Sequence, residues 1–268
     1  MFPMKKDKGM SESIDPARGK IYSSSARIIF LMMLLTTAAS TAFASTAGLT
    51  QSTGTAVQLS KDDWAALNSG GILKWLKEIK GTEVKEGIAI GIVDAPPQKV
   101  WKVVHENNDF VSFMPRTLDS VLVDPGCIAQ AKAMKLDYDT GDPKQLIAFL
   151  KKHRVDAFTG TTCYFFSRVD VPWPATNRWY LLKLDDTVTP GRWYESWSLI
   201  LGNLKSNDGS WDLRPLDNDR TLVTYKVFSD PGGMIPDWII NIGTNQTLPE
   251  VIKAVRKRVK EEAGAATH

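Results

Sequence analysis

Few residues in this chain could carry an enzyme's chemistry. Its 268 residues include three histidines, His105, His153 and His268, and two cysteines, Cys127 and Cys163. His105 and Asp109 are spaced to share one helix face, but Asn107-Asn108 between them interrupts the helix. One such pair offers too few ligands for a metal ion. No Gly-x-Ser-x-Gly elbow, His-Glu-x-x-His pair, phosphate loop or dinucleotide fingerprint occurs. The sequence therefore predicts neither a metal site nor a cofactor. The chain is rich in aromatic residues, with 9 Trp. Side chains alternate across a strand, so Trp193, Glu195 and Trp197 share one face. The same rule groups Arg178, Tyr180, Leu182 and Leu184, and also Val223, Tyr225 and Val227. Such faces either pack an ordinary core or line a cavity.

The elements that must hold these faces follow from periodicity. Ser60 to Asp63 is a capped helix start with Trp64 and Leu67 on its apolar side, and Gly70-Gly71 ends it. Ile72 to Lys80 has no clear period. From Thr82 the pattern alternates into Asp94-Ala95-Pro96-Pro97, a strand and a turn. A helix over 98–105 and a short helical piece over 110–114 come next. Strands are predicted at 118–123, 128–138, 161–171, 179–184, 193–201, 210–214 and 221–228. Turn residues separate them, among them Asp124-Pro125-Gly126, Pro190-Gly191 and Asn207-Asp208-Gly209. A single helix within 139–158 is inserted between two strands. Finally, 235–262 forms an amphipathic helix that Pro249 kinks or restarts, with Arg256, Lys257 and Arg258 on a solvated face. The predicted class is α+β: a curved antiparallel sheet wrapped around a long C-terminal helix, enclosing a cavity unless large side chains fill it.

The N-terminus carries an expectation about destination. Six basic residues precede the apolar run Ile28 to Leu35, and Ala42-Phe43-Ala44 has the small-x-small pattern of a cleavage site. A signal peptide over 1–44, cleaved after Ala44, implies a periplasmic or secreted protein. That segment holds six of the 33 basic and three of the 30 acidic residues, leaving 27 of each in the remainder. Zero net charge gives no support for nucleic-acid binding. Residues 45–59 form a Ser/Thr/Ala/Gly-rich lead-in, 60–262 the domain and 263–268 a tail.

Six ordered segments of that domain resemble one family. They are Asp94-Ala95-Pro96-Pro97-Gln98-Lys99-Val100-Trp101, Phe110-Val111-Ser112-Phe113-Met114-Pro115 and Val171-Pro172-Trp173-Pro174 with Asn177-Arg178. The others are Gly209-Ser210-Trp211 with Thr221 to Tyr225, Pro231 to Trp238, and Leu248-Pro249. Together they resemble the START-like proteins, the superfamily of the birch-pollen allergen, polyketide cyclases and coenzyme Q-binding proteins. The resemblance implies a helix-grip fold and a bound hydrophobic ligand, such as a lipid, sterol or quinone. The implied lining is Phe113, Met114, Tyr180, Trp193, Trp197, Tyr225, Trp238 and Asn241, with Arg178 or Glu195 holding a polar head group. A monomeric, non-enzymatic carrier making transient membrane contact is the first reading. The family's cyclase and aromatase branch gives a second, with Arg178, Glu195 and Tyr225 as acid–base candidates. A ligand-free scaffold is the third. The inserted 139–158 helix departs from the family pattern and would lengthen a sheet edge or cover the cavity mouth. The resemblance also places a strand between Cys127 and Cys163, which implies two buried thiols rather than a disulfide.

Overall fold

In the computed structural model, which describes residues 57–157, 160–216, 219–232 and 246–265, eight antiparallel strands form a single sheet. The strands are β1 (Ile72–Glu78), β2 (Lys85–Val93), β3 (Thr117–Val123) and β4 (Thr162–Val169), then β5 (Arg178–Thr189), β6 (Arg192–Gly202), β7 (Ser206–Leu216) and β8 (Arg220–Asp230). Their order is β1-β2-β8-β7-β6-β5-β4-β3, so the early strand β2 pairs with the last, β8. A bulge opposite Leu181 and Leu182 shifts the β5–β6 register and bends the sheet there. The α+β helix-grip architecture predicted from sequence is the one observed.

Helices cover both sheet faces. On the concave side lie α2 (Pro97–Val104), α3 (Phe110–Phe113) and the C-terminal α6 (Leu248–Ala265). Helix α6 packs on β1, β2 and α2. Its close approach to β2 needs Gly91, where a Cβ would stand 2.6 Å from the Ile252 methyl. Ile252, Val255 and Val259 are buried along one stripe, as the 3.6-residue period requires. On the convex side α1 (Lys61–Asn68) packs over Ile88, Ile90 and Ile92. A reciprocal capping box between Ser60 and Asp63 starts that helix.

The structure departs from the sequence expectations in several places. Ile72–Glu78 is edge strand β1. Residues 128–138 do not form a strand: Asp124 accepts a hydrogen bond from the Gly126 amide and starts a 3-10 turn over Pro125–Cys127, and α4 (Ile128–Ala133) follows. The segment is thus a capped helical entry, Pro125 supplying the first-turn φ. Within 139–158 the single expected helix forms, α5 (Lys144–Lys152), and Arg154 after it bridges to Val123 of edge strand β3; neither α5 nor the preceding α4 lines the cavity. Both pack on the convex face over Val121, Val123, Phe166, Trp179 and Leu181. Asn207-Asp208-Gly209 lies inside β7 rather than in a turn.

Arg256 and Arg258 are engaged rather than simply solvated. Arg256 donates to the carbonyls of Ile92 (2.8 Å), Gly70 (2.8 Å) and Gly71 (3.2 Å), and Arg258 to Glu106 (2.7 Å). Pro249 falls in the first turn of α6, which runs to Ala265, past the expected end at Glu262. Cys127 and Cys163 are free, buried thiols in separate clusters on opposite sheet faces. The predicted signal segment, most of the lead-in and residues 235–245 lie outside the described residues.

Candidate ligand-binding cavity

Alternation along the central strands builds one inner wall. On β5, Arg178, Tyr180, Leu182 and Leu184 face inward, while Trp179 and Leu181 enter the convex cluster. Glu195 and Trp197 on β6, Trp211 on β7, and Tyr225 and Val227 on β8 continue the wall. Phe110 and Met114, with Leu248 and Val251 from α6, complete it opposite the sheet. The space between these walls is about 320 Å³. Its aromatic wall is tightly fitted: the Tyr225 ring centroid lies 4.5 Å from that of Trp211 and 5.7 Å from that of Trp197. The Trp197 ring lies directly over Gly209, where any Cβ would collide with it, and its Nε1 donates to Asn207 Oδ1 at 3.1 Å.

Of the residues singled out from sequence, Met114, Arg178, Tyr180, Glu195, Trp197 and Tyr225 line this space. Trp193 lies outside the wall and packs against the surrounding core. Phe113 packs edge-on to Phe110, and the Arg258 guanidinium sits 5.4 Å from its ring centre. Trp238 and Asn241 lie outside the described residues. Trp211, Phe165 and Asn107 also line the cavity, though sequence reasoning did not select them. Continuing β7 back through Gly209 would have placed Trp211 opposite Glu195, its cross-strand partner.

The polar groups of the wall are poorly satisfied. Arg178 donates through Nη1 to the Thr176 carbonyl (2.8 Å) and hydroxyl (2.9 Å), but its buried Nε has no hydrogen-bond partner. Burial holds its pKa below the usual guanidinium value. Arg178 and Glu195 do not pair with each other; the Glu195 carboxylate faces His105 Nε2 at 3.5 Å. Glu195 is 2% exposed. Burial pushes its pKa up to about 8, with a further push from the Asp186 charge and an opposing pull from His105. For His105, burial disfavours the imidazolium, but the Asp186 hydrogen bond and the Glu195 charge outweigh it and raise the pKa. Burial also raises the Tyr180 and Tyr225 phenols. Asn107 Oδ1 and Glu195 Oε2 make no hydrogen bond. Such orphaned buried groups are costly and suit a site that accepts a partner with a few polar atoms.

A curved antiparallel sheet closed by a C-terminal helix over an apolar cavity defines a START-like domain. Residues 93–256 match the family described as polyketide cyclase / dehydrase and lipid transport. The chain belongs to that family. A Pseudomonas aeruginosa protein described as uncharacterized is 32% identical over 128 residues, 42% of this chain and 57% of its own length. The chain thus spans little more than half of that relative. Among solved structures, a STAR-related lipid transfer protein fragment from Xanthomonas axonopodis matches with a TM-score of 0.53 and 22% identity, over 71% of this chain and 94% of its own. Human StAR-related lipid transfer protein 5 matches with a TM-score of 0.52 and 11% identity, over 72% of this chain and 84% of its own. At these identities the likeness concerns the fold.

Proposed function

We propose that the protein binds an apolar molecule of the lipid, sterol or quinone class and carries it outside the cytoplasm. The observation that carries this reading is the cavity of about 320 Å³ walled by Leu182, Trp197, Trp211, Tyr225 and Val227. A filled interior would have favoured a scaffold. Arg178 and Glu195 enter the same wall, so a ligand with one polar end suits it best. Export rests on the basic region, apolar run and Ala42-Phe43-Ala44 site of residues 1–44. Membrane contact is supported by Trp173, which is 86% exposed and follows Val171 and Pro172 of the cavity wall. An exposed tryptophan there suits the interface of a bilayer.

A second reading, a cyclase-like enzyme, draws on Glu195 backed by His105 and Asp186, a buried carboxyl poised for proton transfer. The deciding experiment is native mass spectrometry of the protein purified from its own compartment, with extraction of any bound lipid. A near-stoichiometric lipid, sterol or quinone supports the carrier. An empty protein that also fails to take up a lipid panel refutes it.

A further inference from the structure

We propose that His105, Asp186 and Glu195 form a binding site for a divalent transition-metal ion, set between the cavity and an outer groove. The sequence alone predicted no metal site, because the one pair it offered, His105 with Asp109, supplies too few ligands. The fold brings His105, Asp186 and Glu195 together. Asp186 on β5 and Glu195 on β6 are direct cross-strand partners, so both point to the concave face. His105 caps the end of α2 above them. One ligand atom from each lies within 4.8 Å of the other two. His105 Nε2 is 2.9 Å from Asp186 Oδ2 and 3.5 Å from Glu195 Oε2.

Three further observations point to a ligand at this spot. First, His105 Nδ1 lies 2.8 Å from the Trp101 carbonyl, and its ring lies against the Trp101 indole with centroids 4.0 Å apart. A carbonyl can only accept, so Nδ1 carries the proton in that bond; Nε2 faces the two carboxylates, donating to Asp186 Oδ2 while the ring is protonated and able to ligate a cation that displaces that proton. Metal-bound histidines are commonly oriented by this arrangement. Second, two buried carboxylate oxygens, Asp186 Oδ1 and Glu195 Oε2, accept no hydrogen bond. The Glu195 side chain is almost fully buried. Third, two carboxylates placed opposite each other across a strand pair repel. A divalent cation between them would turn that repulsion into attraction.

The donor set, one imidazole nitrogen and carboxylate oxygens, suits zinc, manganese or ferrous iron better than a thiophilic ion. Three protein ligands leave at least one coordination position open, as in sites that exchange a bound molecule. Access also fits. His105 and Asp186 line the outer groove together with the acidic Glu106, Asp109 and Asp156, although Lys102 and Arg154 also border it. Glu195 faces the cavity on the other side.

The test uses the purified full chain stripped with a chelator, then dialysed against zinc or manganese and analysed for bound metal. One equivalent per chain is expected, with Glu195→Gln and Asp186→Asn each weakening binding at least about tenfold while circular dichroism shows an intact fold. Cobalt on the wild-type protein gives a second measurement that does not depend on the variants folding. Intense visible bands of a four- or five-coordinate nitrogen–oxygen site are expected. Absence of a bound equivalent, full retention of metal by both folded variants, or a weak six-coordinate cobalt spectrum would overturn the assignment. None of these outcomes depends on lipid uptake, so failure of the metal site and failure of the carrier reading are separately visible.

Discussion

Val227→Trp should block the cavity while leaving the fold intact. Val227 lies between two glycines, Gly87 on β2 and Gly209 on β7. Leu248 and Trp197 occupy the space over those glycines, so the volume in front of Val227 belongs to the cavity. At roughly 30 Å³ per water-sized group, 320 Å³ accommodates on the order of ten methylenes. Their transfer from water contributes about 8 kcal/mol before the cost of association. An indole at this position fills roughly half that space and removes about 4 kcal/mol, close to a thousandfold in Kd. The overpacking cost to stability is about 1–3 kcal/mol, so a thermal melt must accompany the binding measurement. The assay is titration with a fluorescent long-chain fatty acid followed by anisotropy. A folded variant that binds this probe within about threefold of wild type would show that the ligand does not occupy this cavity, and the carrier argument would fail.

Other consequences are equally direct. Arg256→Met removes three charge-assisted bonds to the carbonyls of Ile92, Gly70 and Gly71; urea unfolding should show a loss of about 3 kcal/mol. Leu150→Ala opens the convex cluster, where Leu150 is 0% exposed, and should cost about 2–5 kcal/mol. Its probe affinity should stay at the wild-type value, because the cluster lies on the far side of the sheet. Trp173→Ala should leave the melting temperature unchanged, the side chain being 86% exposed, yet reduce partition onto lipid vesicles severalfold. Cys127 and Cys163 should both resist a thiol reagent at pH 8 in the folded protein and both react after denaturation. Burial raises both thiol pKa values, and a protein that released no thiols in denaturant would instead contain a disulfide.

The inner wall was legible in the sequence because strand alternation is local. Arg178, Tyr180, Leu182 and Leu184 needed only the two-residue period to be placed on one face, and they share the cavity. The C-terminal stripe Leu248, Ile252, Val255 and Val259 was equally readable, and all four are buried. What failed was punctuation. Asp124-Pro125-Gly126 carries the same residue types whether it closes a hairpin or caps a helix, and only the Asp124–Gly126 hydrogen bond distinguishes them. Asn207-Asp208-Gly209 has turn composition, yet Gly209 is a flat platform for Trp197 inside a strand. The basic run Arg256-Lys257-Arg258 resembled a wet helix face because the carbonyls that Arg256 bonds belong to elements about 160 or more residues away.

The same distinction explains why the cluster escaped sequence reading although His105 and Glu195 were each singled out. Asp186 extends the inward face that begins at Arg178, and the β5–β6 hairpin places Glu195 opposite it, so the pair of carboxylates follows from alternation and a short turn. His105 reaches them across 81 residues of sequence, through the packing of α2 on the end of the sheet. That packing is held from the other side by α6, whose Lys102–Glu262 and Arg258–Glu106 pairs tie the two helices together. The lid over the cavity and the imidazole over the carboxylates therefore depend on one helix pair. Any displacement of α6 that admits a ligand would load the contacts that hold α2, and through α2 the distance from His105 to Glu195.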